Sequence, residues 1–143
     1  MLIDSDIYEK LKKEATAAYP KEGCGMLLGI AEKFLVTQFQ VLENTASPDR
    51  TDRQFSVDPL TVYETEKKAA EVGLDVLGFF HTHPDHEAVL SEEDKAYMIP
   101  GMLYMILSVA DGKVRISRIY EKKSAEGPAA EIEFWPVTDP LLN

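Results

Sequence analysis

Cysteine is almost absent: Cys24 stands alone, so the chain can form no internal disulfide, which fits a reducing compartment. Long apolar runs are absent too. The longest, MLYMILSVA from residue 102, falls far short of the roughly 20 residues that a membrane-spanning helix needs. Basic residues are few, 15 against 25 acids, for a net charge of −10. Such a surface lacks the clustered Lys and Arg that grip phosphate backbones, and the pairs Lys67-Lys68 and Lys122-Lys123 read as solvated faces. The N-terminus, MLIDSDIYEK, carries acids early and has no basic flank before an apolar stretch, so no export signal is expected. These absences together point to a cytoplasmic protein that binds neither nucleic acid nor membrane. Histidine is also sparse, and its placement is the main clue: His81, His83 and His86 are the whole set.

What is present is globular. A chain of 143 residues with 45% apolar and 28% charged residues can bury one core, and residues 1–143 are expected to form a single domain. Apolar positions Ile7, Leu11, Ala15 and Ala18 predict a helix over 5–19 capped by Ser5 and ended by Pro20. CGMLLGI and FLVTQFQVL, joined by AEK, predict a β-hairpin. Residues 43–56 are polar and contain Pro48, so a loop is expected. Asp58-Pro59 starts a second helix that reaches about Val72, with Gly73 as its stop. DVLGFFHTH predicts a buried strand, and Ser91 opens a short helix ending before Pro100. MLYMILSV and KVRISRIY predict a hairpin around Asp111-Gly112, EIEFW adds a last strand, and residues 136–143 are expected to be irregular. Tyr104 and Trp135 are assigned to the core. The order is that of an α/β (α+β) layered domain, with helices packed on a mixed sheet.

The chemistry concentrates in HTHPDHEAVLSEED, residues 81–94. Side chains alternate along a strand, so His81 and His83 point the same way, and Pro84 ends the strand behind them. Asp94 falls in the first turn of the following helix. Two imidazoles and a carboxylate form a three-ligand set for zinc, leaving a fourth position for water. A plainer reading competes: SEED is also an ordinary helix start, with Ser91 as cap and Asp94 three residues on. The two readings are compatible, since a residue in a capping motif can face a metal. Zinc chemistry also needs a positioned base, and Glu22 in PKEGCGMLLG is a candidate, beside glycines that let backbones pack closely. His86 reads as a loop residue at a cleft rim. Cys24 reads as a small buried strand residue, since the histidines that would activate it are committed elsewhere.

Glu22, then His81-Thr82-His83-Pro84, then seven residues after the second His, Ser91-Glu92-Glu93-Asp94, resembles the signature of the JAMM (MPN-plus) zinc metalloproteases. PKEGCGMLLG, Asn44 and FSVDP at 55–59 are similar to further positions of that family, and the resemblance runs from about residue 5 to 120. It implies a cytidine-deaminase-like fold and a zinc-dependent peptidase or isopeptidase. His81, His83 and Asp94 would be ligands to one Zn2+ per chain, Glu22 the general acid/base, and Ser91 the donor to the oxyanion. The chain is too short for the insertions of deubiquitinating members, so it looks like the small prokaryotic type, which acts on the C-terminal tails of ubiquitin-like sulfur-carrier proteins. The alternative is a non-catalytic binding module on the same fold that recognises such a carrier or scaffolds a complex. An exposed strand edge in such a domain also makes a homodimer plausible.

Overall fold

The structure, a computed structural model, describes residues 1–46 and 56–138. The expected loop at 43–56 therefore falls largely outside the described residues. The chain runs β1 (Leu2–Asp4), α1 (Ser5–Ala18), β2 (Cys24–Ile30), a 3-10 turn (Ala31–Lys33), β3 (Leu35–Leu42), α2 (Pro59–Glu71), β4 (Asp75–Pro84), α3 (Glu92–Ala96), β5 (Leu103–Ala110), β6 (Lys113–Lys122), β7 (Ala129–Ile132) and β8 (Trp135–Val137). Eight strands form one mixed sheet in the order β7-β6-β5-β4-β2-β3-β1-β8. This is the layered α+β architecture that the alternation of elements predicts.

Successive residues of β2 go to opposite sides of the sheet. Leu27 joins a core with Leu11 and Ala15 of α1, together with Phe80, Met105 and Leu107. Met26 and Leu28 join a second cluster with Ala69 of α2. Helices therefore cover both faces, each burying a narrow apolar stripe. Beyond β4, the buried residues Ala88, Leu90 and Met98 pack on Ile106 of β5 as a third cluster.

Several local expectations shift. The cap of α1 is Asp4, not Ser5: its carboxylate accepts from the Asp6 and Ile7 amides at 2.9 and 3.2 Å. Asp58 caps α2 as expected, accepting from the Leu60 amide. Asp111 and Gly112 both have positive φ, 53° and 78°, which suits the tight turn between β5 and β6. The segment EIEFW is not one strand. Glu131 and Ile132 end β7 beside β6, whereas Trp135 starts β8 beside β1, at the opposite edge of the sheet. The tail expected to be irregular from residue 136 thus continues as strand to Val137. Trp135 is 53% exposed and not in the core, because β8 is an edge strand. Tyr104 is half-buried, and its hydroxyl accepts from the Ile99 amide at 2.6 Å. Among the described residues no helix is long and apolar enough to cross a membrane.

Candidate metal centre

Strand β4 is antiparallel to β2 and parallel to β5, so its carboxyl end opens where the chain must cross over to reach β5. Such crossovers leave side chains exposed at strand ends, where α/β sheets bind ligands. The pairing of β4 with β2 skips Leu77, since Leu27 faces Gly78 and Leu28 faces Val76. That bulge sets the phase of everything after it. Phe80 packs into the α1 core and Phe79 against the second cluster. Alternation then sends His81 and His83 to the second face and Thr82 back toward α1.

Thr82 is what brings the distant Glu22 to the histidines. Its amide donates to the Gly23 carbonyl at 2.9 Å, and its hydroxyl accepts from the Gly23 amide at 2.8 Å. The paired register of Cys24 with His81 is thereby carried one rung further. One rung beyond that, Glu22 stands level with His83. A Cβ at position 23 would come within 2.8 Å of the Ala18 Cβ, so this close approach requires glycine. The Glu22 carbonyl is held from the other side by Asn44 Nδ2 at 2.8 Å.

The resulting cluster is buried: Glu22, His81 and His83 are 4%, 2% and 3% exposed. One ligating atom from each lies within 4.8 Å of the others. The two imidazole Nε2 atoms are 3.2 Å apart. Asp94 bridges them, with Oδ1 at 3.3 Å from His81 Nε2 and Oδ2 at 3.3 Å from His83 Nε2. Two carboxylates, Glu22 and Asp94, thus address one pair of imidazoles.

The donor set fits zinc. Ligands about 2.0–2.1 Å from a tetrahedral zinc stand about 3.3–3.4 Å apart, close to the separations among His81, His83 and Asp94. The tautomer fits as well. His83 Nδ1 lies 2.7 Å from the Glu87 carbonyl, which can only accept, so Nδ1 carries the proton and a neutral His83 presents a lone pair at Nε2.

Charge is balanced locally. Burial works to raise the Asp94 pKa, but hydrogen bonds with His81 and His83 outweigh it and hold the carboxylate well below its usual range. Burial lowers the His81 pKa. Burial also opposes charging of His83, yet Asp94 and the Glu87 carbonyl prevail and its pKa is raised. A cation entering this site would compete with a proton held by His83.

The loop between β4 and α3 is fixed by three consecutive carbonyls. His86, Glu87 and Ala88 accept, in turn, from Ser108 Oγ at 2.6 Å, from His83 Nδ1, and from Tyr120 Oη at 2.8 Å. From this shelf the chain enters α3 through a complete capping box. Asp94 N donates to Ser91 Oγ, and Ser91 N donates to Asp94 Oδ2, both at 2.9 Å. The cap and the carboxylate beside the histidines are therefore one motif: SEED is a helix start, and that start sets Asp94 against His81 and His83. Ser91 itself is exposed.

His86 is exposed, and its ring stacks on His83 at 4.5 Å between centroids. Cys24 is buried, and burial followed by the charge of Glu22 pushes its thiol up to about 12, far from a reactive thiolate. Sequence reasoning did not single out Thr82, Ser108, Tyr120 or Tyr19, whose hydroxyl donates to Asp85 Oδ2 at 2.7 Å across the rim. Only Thr82 carried a usable signal, as the residue between two same-facing histidines.

Fold and site together define a JAB/MPN-type domain. Residues 4–120 match the prokaryotic homologs of the JAB domain, and the chain belongs to that family. It is 29% identical over 109 residues to the desampylase of Haloferax volcanii, covering 76% of each chain. Among solved structures, a protein of Desulfitobacterium hafniense matches with a TM-score of 0.78 and 27% identity, over 96% of this chain and 93% of that one. A Salinibacter ruber protein matches at 0.71 and 30% identity, over 97% and 93%. A JAB1/MPN domain protein from Archaeoglobus fulgidus, at 0.60 and 20% identity over 94% and 97%, shares the fold.

Proposed function

We propose that this protein is a zinc-dependent hydrolase that cleaves peptide or isopeptide bonds at the C-terminal tail of a ubiquitin-like or sulfur-carrier protein. The observation that carries this reading is the buried Glu22 beside two imidazoles that Asp94 bridges at 3.3 Å. Placing a carboxylate in a buried ligand set is costly, and a catalytic task accounts for that cost better than a binding surface does. The likeness to a desampylase supports ubiquitin-like conjugates as the substrate class.

His81, His83 and Asp94 would hold the zinc. Once bound, it would lower the pKa of a coordinated water toward about 7 and polarise the scissile carbonyl. Glu22 takes the proton of the attacking water and delivers it to the departing amine nitrogen. Ser91 donates its hydroxyl proton to the developing oxyanion. In the capping geometry Ser91 Oγ accepts from Asp94 N, which leaves its own proton free for that bond.

The test is direct. The purified protein is expected to hold one zinc per chain and to cleave an extension following the diglycine end of a small carrier. Glu22→Ala should keep the metal and lose the cleavage. Cleavage by that variant at the wild-type rate would remove Glu22 from the mechanism. Tight carrier binding by wild-type protein with no cleavage would establish the binding module instead.

A further inference from the structure

We infer that Asn44 is a positioning residue for Glu22, acting by closing the β2–β3 ladder in place of a backbone donor. The inference rests on the hydrolase reading above. Cys24 pairs with Leu42 in the antiparallel register of β2 and β3. Two rungs on, the residue opposite Glu22 is Asn44, beyond the last paired rung. There the side chain substitutes for the ladder: Asn44 Nδ2 donates to the Glu22 carbonyl at 2.8 Å. Asn44 Oδ1 meanwhile accepts from the Ala46 amide at 3.0 Å and the Ser56 amide at 3.1 Å. The Thr45 amide donates to the Ser56 carbonyl at 2.8 Å in the same knot.

Glu22 therefore has a support on each side. Thr82 holds Gly23 from the histidine strand, and Asn44 holds the Glu22 carbonyl from β3. Glu22 immediately precedes Gly23 and β2, so the main chain that carries its carboxylate is anchored by the bonds at its own carbonyl and at Gly23. A misplacement of about 1 Å at a reacting group can cost about 100-fold in rate. The amide's two ends do separate jobs: the nitrogen places the base, and the oxygen gathers the chain at 46 and 56.

Asn44→Asp separates them. Aspartate keeps an acceptor for the Ala46 and Ser56 amides, but it cannot donate to Glu22 and faces its carbonyl oxygen with a negative charge. The variant is expected to lower kcat about 10- to 100-fold, with KM and zinc content unchanged. Hydrogen exchange at the Gly23 and Thr82 amides should quicken as Glu22 loosens. Asn44→Ala, which removes both jobs, should match the kcat loss and also lower the melting temperature further. If Asn44→Asp cleaves at the wild-type rate, the positioning role is overturned. If wild-type protein cleaves no diglycine-linked carrier, the hydrolase reading falls, and amide exchange decides the positioning role by itself. Unchanged exchange at Gly23 and Thr82 in Asn44→Asp would then overturn it.

Discussion

Ser91 is assigned two jobs in one hydroxyl, and substitutions can pull them apart. Its oxygen accepts from Asp94 N at 2.9 Å, capping a helix of only 5 residues. Its proton is the proposed donor to the oxyanion. Replacing a serine cap by alanine costs about 0.5–2 kcal/mol, whereas glycine costs only a few tenths, roughly 0.3 kcal/mol. For a domain of this size about 1 kcal/mol moves Tm by about 2–4 °C. Removing an oxyanion donor costs about 100- to 1,000-fold in kcat, or about 2.7–4 kcal/mol of transition-state stabilisation. Ser91→Ala should therefore lose both stability and rate, while Ser91→Gly should melt within about 1 °C of wild type and lose the rate alone. Ser91→Thr keeps both functions of the hydroxyl. Zinc affinity should change little in any of them, because the bond from Ser91 N to Asp94 Oδ2 needs no side chain at 91. Scanning calorimetry, zinc titration and kcat on a carrier with a short C-terminal extension give the three readouts. A Ser91→Gly enzyme with wild-type kcat would refute the donor role, leaving Ser91 only its place in the helix start.

Two further outcomes follow from the charges and the shelf. In metal-free protein the raised His83 pKa contributes stability that is complete below about pH 6.5 and lost as pH rises through its folded value, so denaturant stability should fall as pH rises above about 6.5. The depressed Asp94 pKa contributes stability above about pH 3.9 that is lost on further acidification. Asp94→Asn should flatten both slopes, and an unchanged alkaline slope in that variant would disprove the assignment to the Asp94–His83 contact. Tyr120→Phe leaves the buried Ala88 without its hydroxyl donor, at a cost of about 1–3 kcal/mol, read as a lower urea midpoint. It should also weaken zinc binding, because the loosened shelf carries α3 and Asp94; unaltered affinity would show that the shelf does not position the carboxylate.

The same-facing pair of histidines was legible in the sequence because strand alternation is a two-residue rule and both histidines obey it. Asp94 was legible because a capping box fixes its spacing from Ser91 at three residues. What could not be read was the register. Leu77 is unpaired in the β2–β4 ladder, and nothing in DVLGFF announces that bulge. The partition of EIEFW between opposite sheet edges was hidden for a related reason. An alternating apolar pattern says which face a residue takes but not which neighbour its strand adds to. Leu2–Asp4 was missed because three residues carry too little periodicity, although Asp4 then displaced Ser5 as the cap of α1.

The placement of Glu22 shows how a weak local signal becomes a strong structural one. An acid between Lys21 and Gly23 is unremarkable in the chain, and only the ladder gives it a role. Thr82 lies between the two histidines and faces away from them, which leaves it free to take hold of Gly23 on the neighbouring strand. The same alternation that pairs the imidazoles therefore delivers the carboxylate, 59 residues away by the span from Gly23 to Thr82. This predicts an asymmetry among substitutions. Changes at Thr82 should disturb Glu22 more than the histidines, whose strand is held by β2 and β5 on either side. The proposed metal ligands and the proposed base can thus fail separately, although they meet on neighbouring strands.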